Sequence, residues 1–591
     1  MSGRRALAGL AVALSAATLT SCVQVPRGGP VVVERPRGQV VGSQQIYSNP
    51  RPPQPGATRQ DIVAGFLDAM TATPFRPAPA TEYLTQQGPS QWHPARQVLV
   101  YRRLGALQID GDVVRLGLVN ADRVGSAGQW LGAAPRSEST LAFRMEKEDG
   151  EWRIAHAPNA YVLPQSYYTQ QFDQDASLYY FDPTGRVLVP EPVHVPQGSQ
   201  LVPSLVQNLV RGPRAGLRDV ERSFIPPGLD STFSVRIAGS TAQVSLGGND
   251  PGPLSQRVVR LMLAQLTFTL RQEPAITAFT LSIAGRPVAY GAETRFPTDS
   301  DAFEQYDPAA ATSSLTYGLR RGRLVSGPLD GLTAVNGPFG TSATGIGPFA
   351  VSLNDSMVAG VAPGRLLFGK VRDDNQRVSG AGRARTLLTG PGILRPAWDS
   401  DNRLWTIQVG PTGAVVRYAA ASDLSAGPLR RVRIRGVTGM QVSSFLVSRD
   451  GSRLVAVIEG PRADRIVVAR LRYDADGSTL GSTRALTIPW KSRAARIRFL
   501  GWTTPTTIAV LDQLNPAQAE RRILRVDGST PPDQAQPSRI PGIVRGLMAS
   551  PAGSTQPPYA VLPDGLYDIS QVDTTRSPQI ERGLRHLTYA G

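Results

Sequence analysis

Cysteine is almost absent from this sequence: Cys22 is the only one in 591 residues, which excludes an intrachain disulfide. Histidine is nearly as scarce. The four residues, His93, His156, His194 and His586, include no two at metal-ligand spacing, so no metal site is expected. There is no G-x-S-x-G elbow, H-E-x-x-H or phosphate-binding loop, and residues 380–382 (GAG) are too short a glycine signal for a nucleotide. The expectation is a protein that is not an enzyme and carries no cofactor. No helix-turn-helix, zinc finger or dense Arg/Lys block is found, so no nucleic-acid partner is expected. Long apolar runs are missing too, and no segment reaches the roughly 20 residues that a transmembrane helix requires.

What is present is ordinary globular material, 41% hydrophobic and 18% charged, in a chain too long for a single core. The 59 glycines and 50 prolines point to many turns and short strands. Basic residues outnumber acidic ones by 63 to 46, giving a formal charge of +17, mostly arginine and spread along the chain. A diffuse positive field suits a protein held beside anionic phospholipid heads.

Residues 1–21 read as an export signal: Arg4 and Arg5 are followed by a short apolar segment, Ala6 to Ala17. Leu19-Thr20-Ser21-Cys22 resembles the lipobox of bacterial lipoproteins. That resemblance implies a diacylglyceryl group on the Cys22 thiol, cleavage just before it, and acyl chains such as palmitate anchoring the protein to the outer face of the cell membrane. Two acyl chains hold stably where one is marginal. Residues 22–56, rich in Pro, Gly, Val and Arg, are expected to form a tether between lipid and folded body.

Three folded domains are expected beyond it. Residues 57–185 begin with an amphipathic helix, in which Ile62, Val63, Phe66, Leu67 and Met70 share a face, followed by strands, an α+β order. Trp152 is expected in its core, and Trp92, His93 and His156 are its candidate ligand pocket, with structural or exposed histidines as the simpler reading. Residues 186–310 supply a helix over 200–210 stopped by Gly212-Pro213 and a strand–turn–strand over 233–246. A long helix over 254–271 follows, with Val258, Leu261, Met262, Gln265, Leu266 and Thr269 on one stripe. This order, with its Ile225-Pro226-Pro227-Gly228 loop, resembles the GerMN domain, which implies protein contacts and no catalytic residues.

Residues 315–591 read as almost purely β, apart from a possible helical turn over Pro516 to Arg521. A repeat starting near Ser352, Trp398, Ser448, Trp502 and Ser550 recurs every 46–54 residues, the spacing of four-stranded propeller blades. Five or six blades are expected, with strands near 315–325 and 584–589 completing one shared blade; a pair of β-sandwiches is the competing fold. The fold class is therefore multidomain, two small α+β domains followed by an all-β propeller. Asp399, Asp401, Asp450 and Asp464 are the acids available for glycosidase chemistry, but they stand where turns favour Asp. The run Arg430 to Arg435 is either a basic contact strand or a solvated strand face.

Lipobox, tether, α+β domain, GerMN-like domain and propeller together resemble the LpqB family of actinobacterial lipoproteins. The resemblance implies a gene beside the MtrA–MtrB two-component pair and a partner in the extracytoplasmic domain of the MtrB sensor histidine kinase. It also implies an influence on cell-wall homeostasis, division and drug tolerance. Two rivals belong to other classes. A carbohydrate- or peptidoglycan-handling protein needs acids and exposed tryptophans, such as Trp398, Trp405, Trp490 and Trp502, at one propeller mouth. A purely structural envelope protein needs no cleft at all. Oligomeric state is not legible.

Overall fold

The computed structural model describes residues 50–73, 75–173, 175–229, 233–310, 312–372, 383–425, 427–474, 477–490, 496–530, 538–552, 555–570, 580–581 and 583–591. Cys22, the expected signal segment 1–21, residues 22–49 of the expected tether and residues 380–382 lie outside them. The end of the expected tether is seated on the first domain: the Tyr83 hydroxyl donates to the Arg51 carbonyl and Gly56 N donates to Glu151. Among the described residues no helix is long and apolar enough to cross a membrane.

The first domain starts with helix α1, Arg59–Ala69, whose N-terminus is fixed by a reciprocal capping box between Thr58 and Asp61. Its Ile62, Val63, Phe66 and Leu67 are buried against Phe143, Ile154 and Trp92. The strands Arg103–Asp110, Val113–Val119, Thr140–Glu148 and Glu151–His156 form one antiparallel sheet in that order. The Asp149-Gly150 hairpin turn works because both residues adopt positive φ, 53° and 84°. A second sheet runs Trp130–Ala133, Asp122–Gly125, Gln97–Tyr101, Tyr161–Pro164. Trp152 departs from the core position expected of it. It lies at the rim, half-buried, with the Arg59 guanidinium 4.8 Å and the Lys147 ammonium 5.3 Å from its ring, so the cations cover a face the core leaves open.

The second domain contains α2, Leu201–Arg211, ended by Gly212 at φ 75°, and α3, Gln256–Leu270, capped by Ser255. The strand Thr241–Leu246 pairs parallel with Ala278–Ile283, the crossover being α3. That helix is more deeply placed than a single stripe predicts. Leu261 to Leu270 are all buried, whereas Val258 stays at the edge. Burial all round means polar side chains need partners. Gln265 accepts from Phe224 N at 2.7 Å and donates to the Tyr179 carbonyl at 3.0 Å, and Thr269 accepts from Tyr179 N at 3.2 Å. The strand Ser177–Phe181 is thereby laid along α3.

The third region is a β-propeller. Among the described residues six sheets follow one another, and the strands Phe349–Val351, Ala397–Trp398, Val442–Val447, Phe499–Thr504, Gly546–Met548 and Leu584–Thr588 pack in succession around the inside. The ring is closed twice over. Leu584–Thr588 pairs antiparallel with Thr316–Arg320, the first strand of the region, and Gly591 N donates to the Val351 carbonyl at 2.8 Å. Closure of this kind covers the strand edges that a row of separate sheets would expose.

The sequence repeat has a local cause. After an inner strand a buried side chain folds back to accept a hydrogen bond from the next strand: Ser352 from Met357 N, Asp399 from Arg403 N, and Ser448 from Arg453 N, at 2.9, 3.0 and 3.0 Å. Two tryptophans then staple neighbouring sheets. Trp398 donates to the Ala350 carbonyl and Trp502 to that of Val447. The segment Pro516 to Arg521 is not helical. Gln518–Arg525 is a strand, and Gln513 faces Ala519 directly across a tight hairpin. Continuing the Thr507–Asn515 ladder satisfies more backbone groups than one isolated helical turn could.

Candidate functional site: a cleft where three domains meet

The sequence-based pocket does not assemble. Trp92 is buried and donates to the Pro158 carbonyl, while His93 and His156 are both exposed. The four acids are structural in the way turn chemistry requires. Asp399 is fully buried, pairs with Arg403 at 2.8 Å and accepts from Trp405 at 2.9 Å; Asp401 pairs with Arg403 and with Arg186. Asp450 caps the turn at Ser452, and Asp464 accepts from Ile497 N and pairs with Arg496. In the basic run, Val432 and Ile434 are buried and the arginines point outward, as on a solvated strand face. Among the described residues no cluster of His, Cys, Asp or Glu is arranged to hold a metal.

What the fold does bring together lies at the junction of all three domains. His194 is completely buried. Its Nδ1 is 2.6 Å from the Tyr168 hydroxyl of the first domain, and its Nε2 is 3.0 Å from the Asp527 carboxylate of the propeller. The Trp130 ring stacks on the imidazole at 5.4 Å, and His194 N donates to the Gly128 carbonyl. Burial disfavours charge on Asp527, but hydrogen bonds from His194 and Ser529 outweigh it and hold the carboxyl below its ordinary range. Burial pushes the Tyr168 hydroxyl up.

A second, ionic contact lies beside the first. Glu191 sits in the strand Leu188–Pro192, every residue of which is buried. Its carboxylate meets Arg214 at 2.9 Å, Arg453 at 3.0 Å and Arg470 at 2.5 Å; Arg453 also donates to the Pro190 carbonyl, and Arg470 reaches Glu221. Burial opposes charge on Glu191, yet the guanidiniums of Arg470, Arg453 and Arg214 keep it ionised, well below the usual carboxylate range. For Glu221 the balance reverses. Burial pushes its carboxyl up past the opposing pull of Arg470, and the charge on Glu191 adds to the rise. Further along the same junction Arg525 binds Asp175 at 2.7 Å.

These contacts floor a cleft of about 1640 Å³ walled by all three domains. Among the described residues six arginines and three carboxylates line it. The carboxylates of Glu191 and Asp527 are engaged as described and Asp122 interacts with Arg102, whereas Arg484 makes no ion pair among the described residues. Between them stand apolar side chains. Leu131 and Leu486 are 42% and 46% exposed, large values for leucines at a junction otherwise well packed, and Trp490 and Ile523 continue the apolar wall. The position of Leu131 follows from a register shift: Val124 pairs with Trp130 and Arg123 with Gly132, so Leu131 is the extra residue of a bulge.

Sequence reasoning missed Glu191, Glu221, His194 and Asp527. One signal was available: a glutamate between two prolines inside an otherwise apolar strand is an acid in need of a buried partner.

Comparison with known proteins follows the same three-part division. The family model described as "Lipoprotein LpqB, N-terminal domain" matches residues 52–169, "Sporulation and spore germination" matches 177–289, and "Lipoprotein LpqB beta-propeller domain" matches 322–558. A Lipoprotein LpqB from Thermobifida fusca (strain YX) is 28% identical, covering 89% of this chain and 90% of its own. Those of Rhodococcus jostii (strain RHA1) and Mycolicibacterium smegmatis (strain ATCC 700084 / mc(2)155) are 28% and 27% identical, covering 78% and 75% of this chain and 77% of theirs in both cases. The solved structure of TolB from Acinetobacter baumannii, 12% identical, covers 61% of this chain and 100% of its own at a TM-score of 0.31, too loosely to carry an argument. Three matching domain models in order, with relatives aligned over most of their length, place this chain in the LpqB lipoprotein family.

Proposed function

We propose that this chain is a non-enzymatic lipoprotein that binds the extracytoplasmic domain of a sensor histidine kinase and thereby adjusts signalling that bears on cell-wall homeostasis and division. Its lipoprotein relatives imply a membrane-anchored place in the envelope. In this reading Cys22 carries the lipid, and the folded body stands on the outer face of the membrane.

The observation that carries the reading is the cleft: a three-domain concavity that presents exposed leucines among arginines, the composition of a protein-contact surface. The propeller mouth on the side of the second domain is a poorer candidate. Arg449 reaches across it to Ser550 and Gln556 at 2.7 and 3.2 Å, and Gln556 in turn holds the Ser313 carbonyl. Trp398, Trp405 and Trp502 are buried as sheet-to-sheet packing, which weighs against a sugar-stacking platform.

The test is a pull-down of the soluble body, residues 23–591, against the extracytoplasmic domain of the sensor kinase encoded beside it. Saturable binding retained at moderate salt is expected. No binding at high micromolar concentration would overturn the direct-contact reading.

A further inference from the structure

We infer that the three-domain cleft grips an extended polypeptide segment that is acidic and carries aliphatic anchor side chains, one seated between Leu131 and Leu486. This rests on the binding role proposed above and names the chemistry of the contact.

Three observations support it. First, the cleft is electrostatically unbalanced: of the three carboxylates described in it, Glu191 is neutralised by three guanidiniums, Asp527 is bound to His194 and Asp122 interacts with Arg102, while Arg484 is left without an ion pair among the described residues. An incoming carboxylate would complete the half-made pair at Arg484 and add to the single charge beside Arg102 rather than compete for satisfied pairs. Second, the exposed apolar surface is aliphatic. Leu131, Leu486 and Ile523 face the space, whereas of the two tryptophans lining it Trp130 is already stacked on His194. Sugars stack on free aromatic faces, while aliphatic pockets among cations suit alternating acidic and branched side chains. Third, the presentation of Leu131 is built in. The bulge that ejects it lies in Trp130–Ala133, the edge strand of its sheet, and all four residues of that strand line the cleft. Bulges of this type re-aim one side chain at the cost of ladder pairing.

The experiment uses the soluble body, residues 23–591, and fluorescence anisotropy with a labelled twelve-residue peptide of alternating glutamate and valine. Three competitors are a lysine–valine peptide, a polyglutamate peptide of equal length and an oligogalacturonate. Saturable binding of the glutamate–valine peptide is expected, weakened at least tenfold by the pair Arg102→Glu and Arg484→Glu and, separately, by the pair Leu131→Asp and Leu486→Asp. The exposed Arg323→Glu, far along the chain in the first propeller sheet, should leave it unchanged. These are surface substitutions, and an unchanged melting temperature confirms that the body is intact.

No saturable binding at 1 mM peptide, equal binding of the lysine peptide, or indifference to both pairs of substitutions would overturn the inference. Tighter binding of oligogalacturonate or polyglutamate would do so too, by showing an anion site with no use for the leucines. The kinase pull-down with the same variants separates the two claims. Kinase binding untouched by the leucine pair sinks the cleft contact and leaves the partner; peptide binding through the cleft without kinase binding does the reverse.

Discussion

His194 and Asp527 are 333 residues apart in the chain and 3.0 Å apart in the fold, joined by a hydrogen bond buried between the second domain and the propeller. Tyr168 on the other imidazole nitrogen makes it a three-domain contact. Removing one partner leaves the other buried and unsatisfied.

Asp527→Asn should therefore destabilise the folded body by about 1–3 kcal/mol, the usual cost of a stranded buried polar group. A carboxyl held below its ordinary value binds protons more weakly when folded, so its contribution is present above the unfolded value and lost as pH falls through the lowered one. Urea denaturation across the acid range should show wild type losing stability where Asp527→Asn does not. Parallel acid limbs would contradict the assignment.

Glu191→Gln should be more damaging. It strips the counter-charge from Arg453, which is buried, and from Arg470, whose side chain is only 11% exposed, and breaking a buried ion pair from one side costs about 3–5 kcal/mol. Small-angle scattering should show the propeller parting from the second domain before either unfolds. A single cooperative melt at unchanged dimensions would mean that other contacts carry the docking.

Glu221 predicts the opposite pH dependence. Its folded value is raised, so its contribution is fully present below the unfolded value and is lost as pH rises through the raised one. Three guanidiniums, those of Arg470, Arg453 and Arg214, face the two carboxylates Glu221 and Glu191, and of these five groups only the carboxylates titrate in the accessible range. Wild type should weaken as pH rises from the ordinary carboxylate range to about 8, and Glu221→Gln should flatten that limb in a thermal-shift series. A limb unaltered in the variant would remove Glu221 as its source.

A chain ending at residue 583 should lose the propeller's closure, since Leu584–Thr588 supplies the inner strand of the first sheet. Faster proteolysis within residues 316–334, the strands left uncovered, is the expected sign. A digestion pattern like that of the full chain would show that the ring holds without it.

Much of the architecture was legible because it rests on local chemistry. Periodicity alone marks α1 and α3, and the propeller repeat is visible because Ser352, Asp399 and Ser448 perform the same turn-closing hydrogen bond in successive sheets. Where two local solutions compete the sequence is ambiguous, as at Pro516 to Arg521, and the neighbouring ladder decides. The depth of α3 was underestimated because Gln265 and Thr269 look like a polar edge until their partners on the Tyr179 strand are known. The cleft was illegible for a different reason. Leu131, Glu191, Leu486 and Ile523 belong to separate domains or sheets, and no spacing along the chain brings them near one another. Glu191 alone left a trace.

The shared first sheet also sets an order of events. Thr316–Arg320 is made more than 260 residues before Leu584–Thr588, the strand that covers its edge. As the chain is made, the first two domains can mature at once, while the propeller waits half-built with a sticky edge exposed. Such intermediates invite wrong pairing and aggregation. Folding of this protein is thus most vulnerable late, and slowing the arrival of residues 584–591 should harm its yield more than slowing any earlier stretch of equal length.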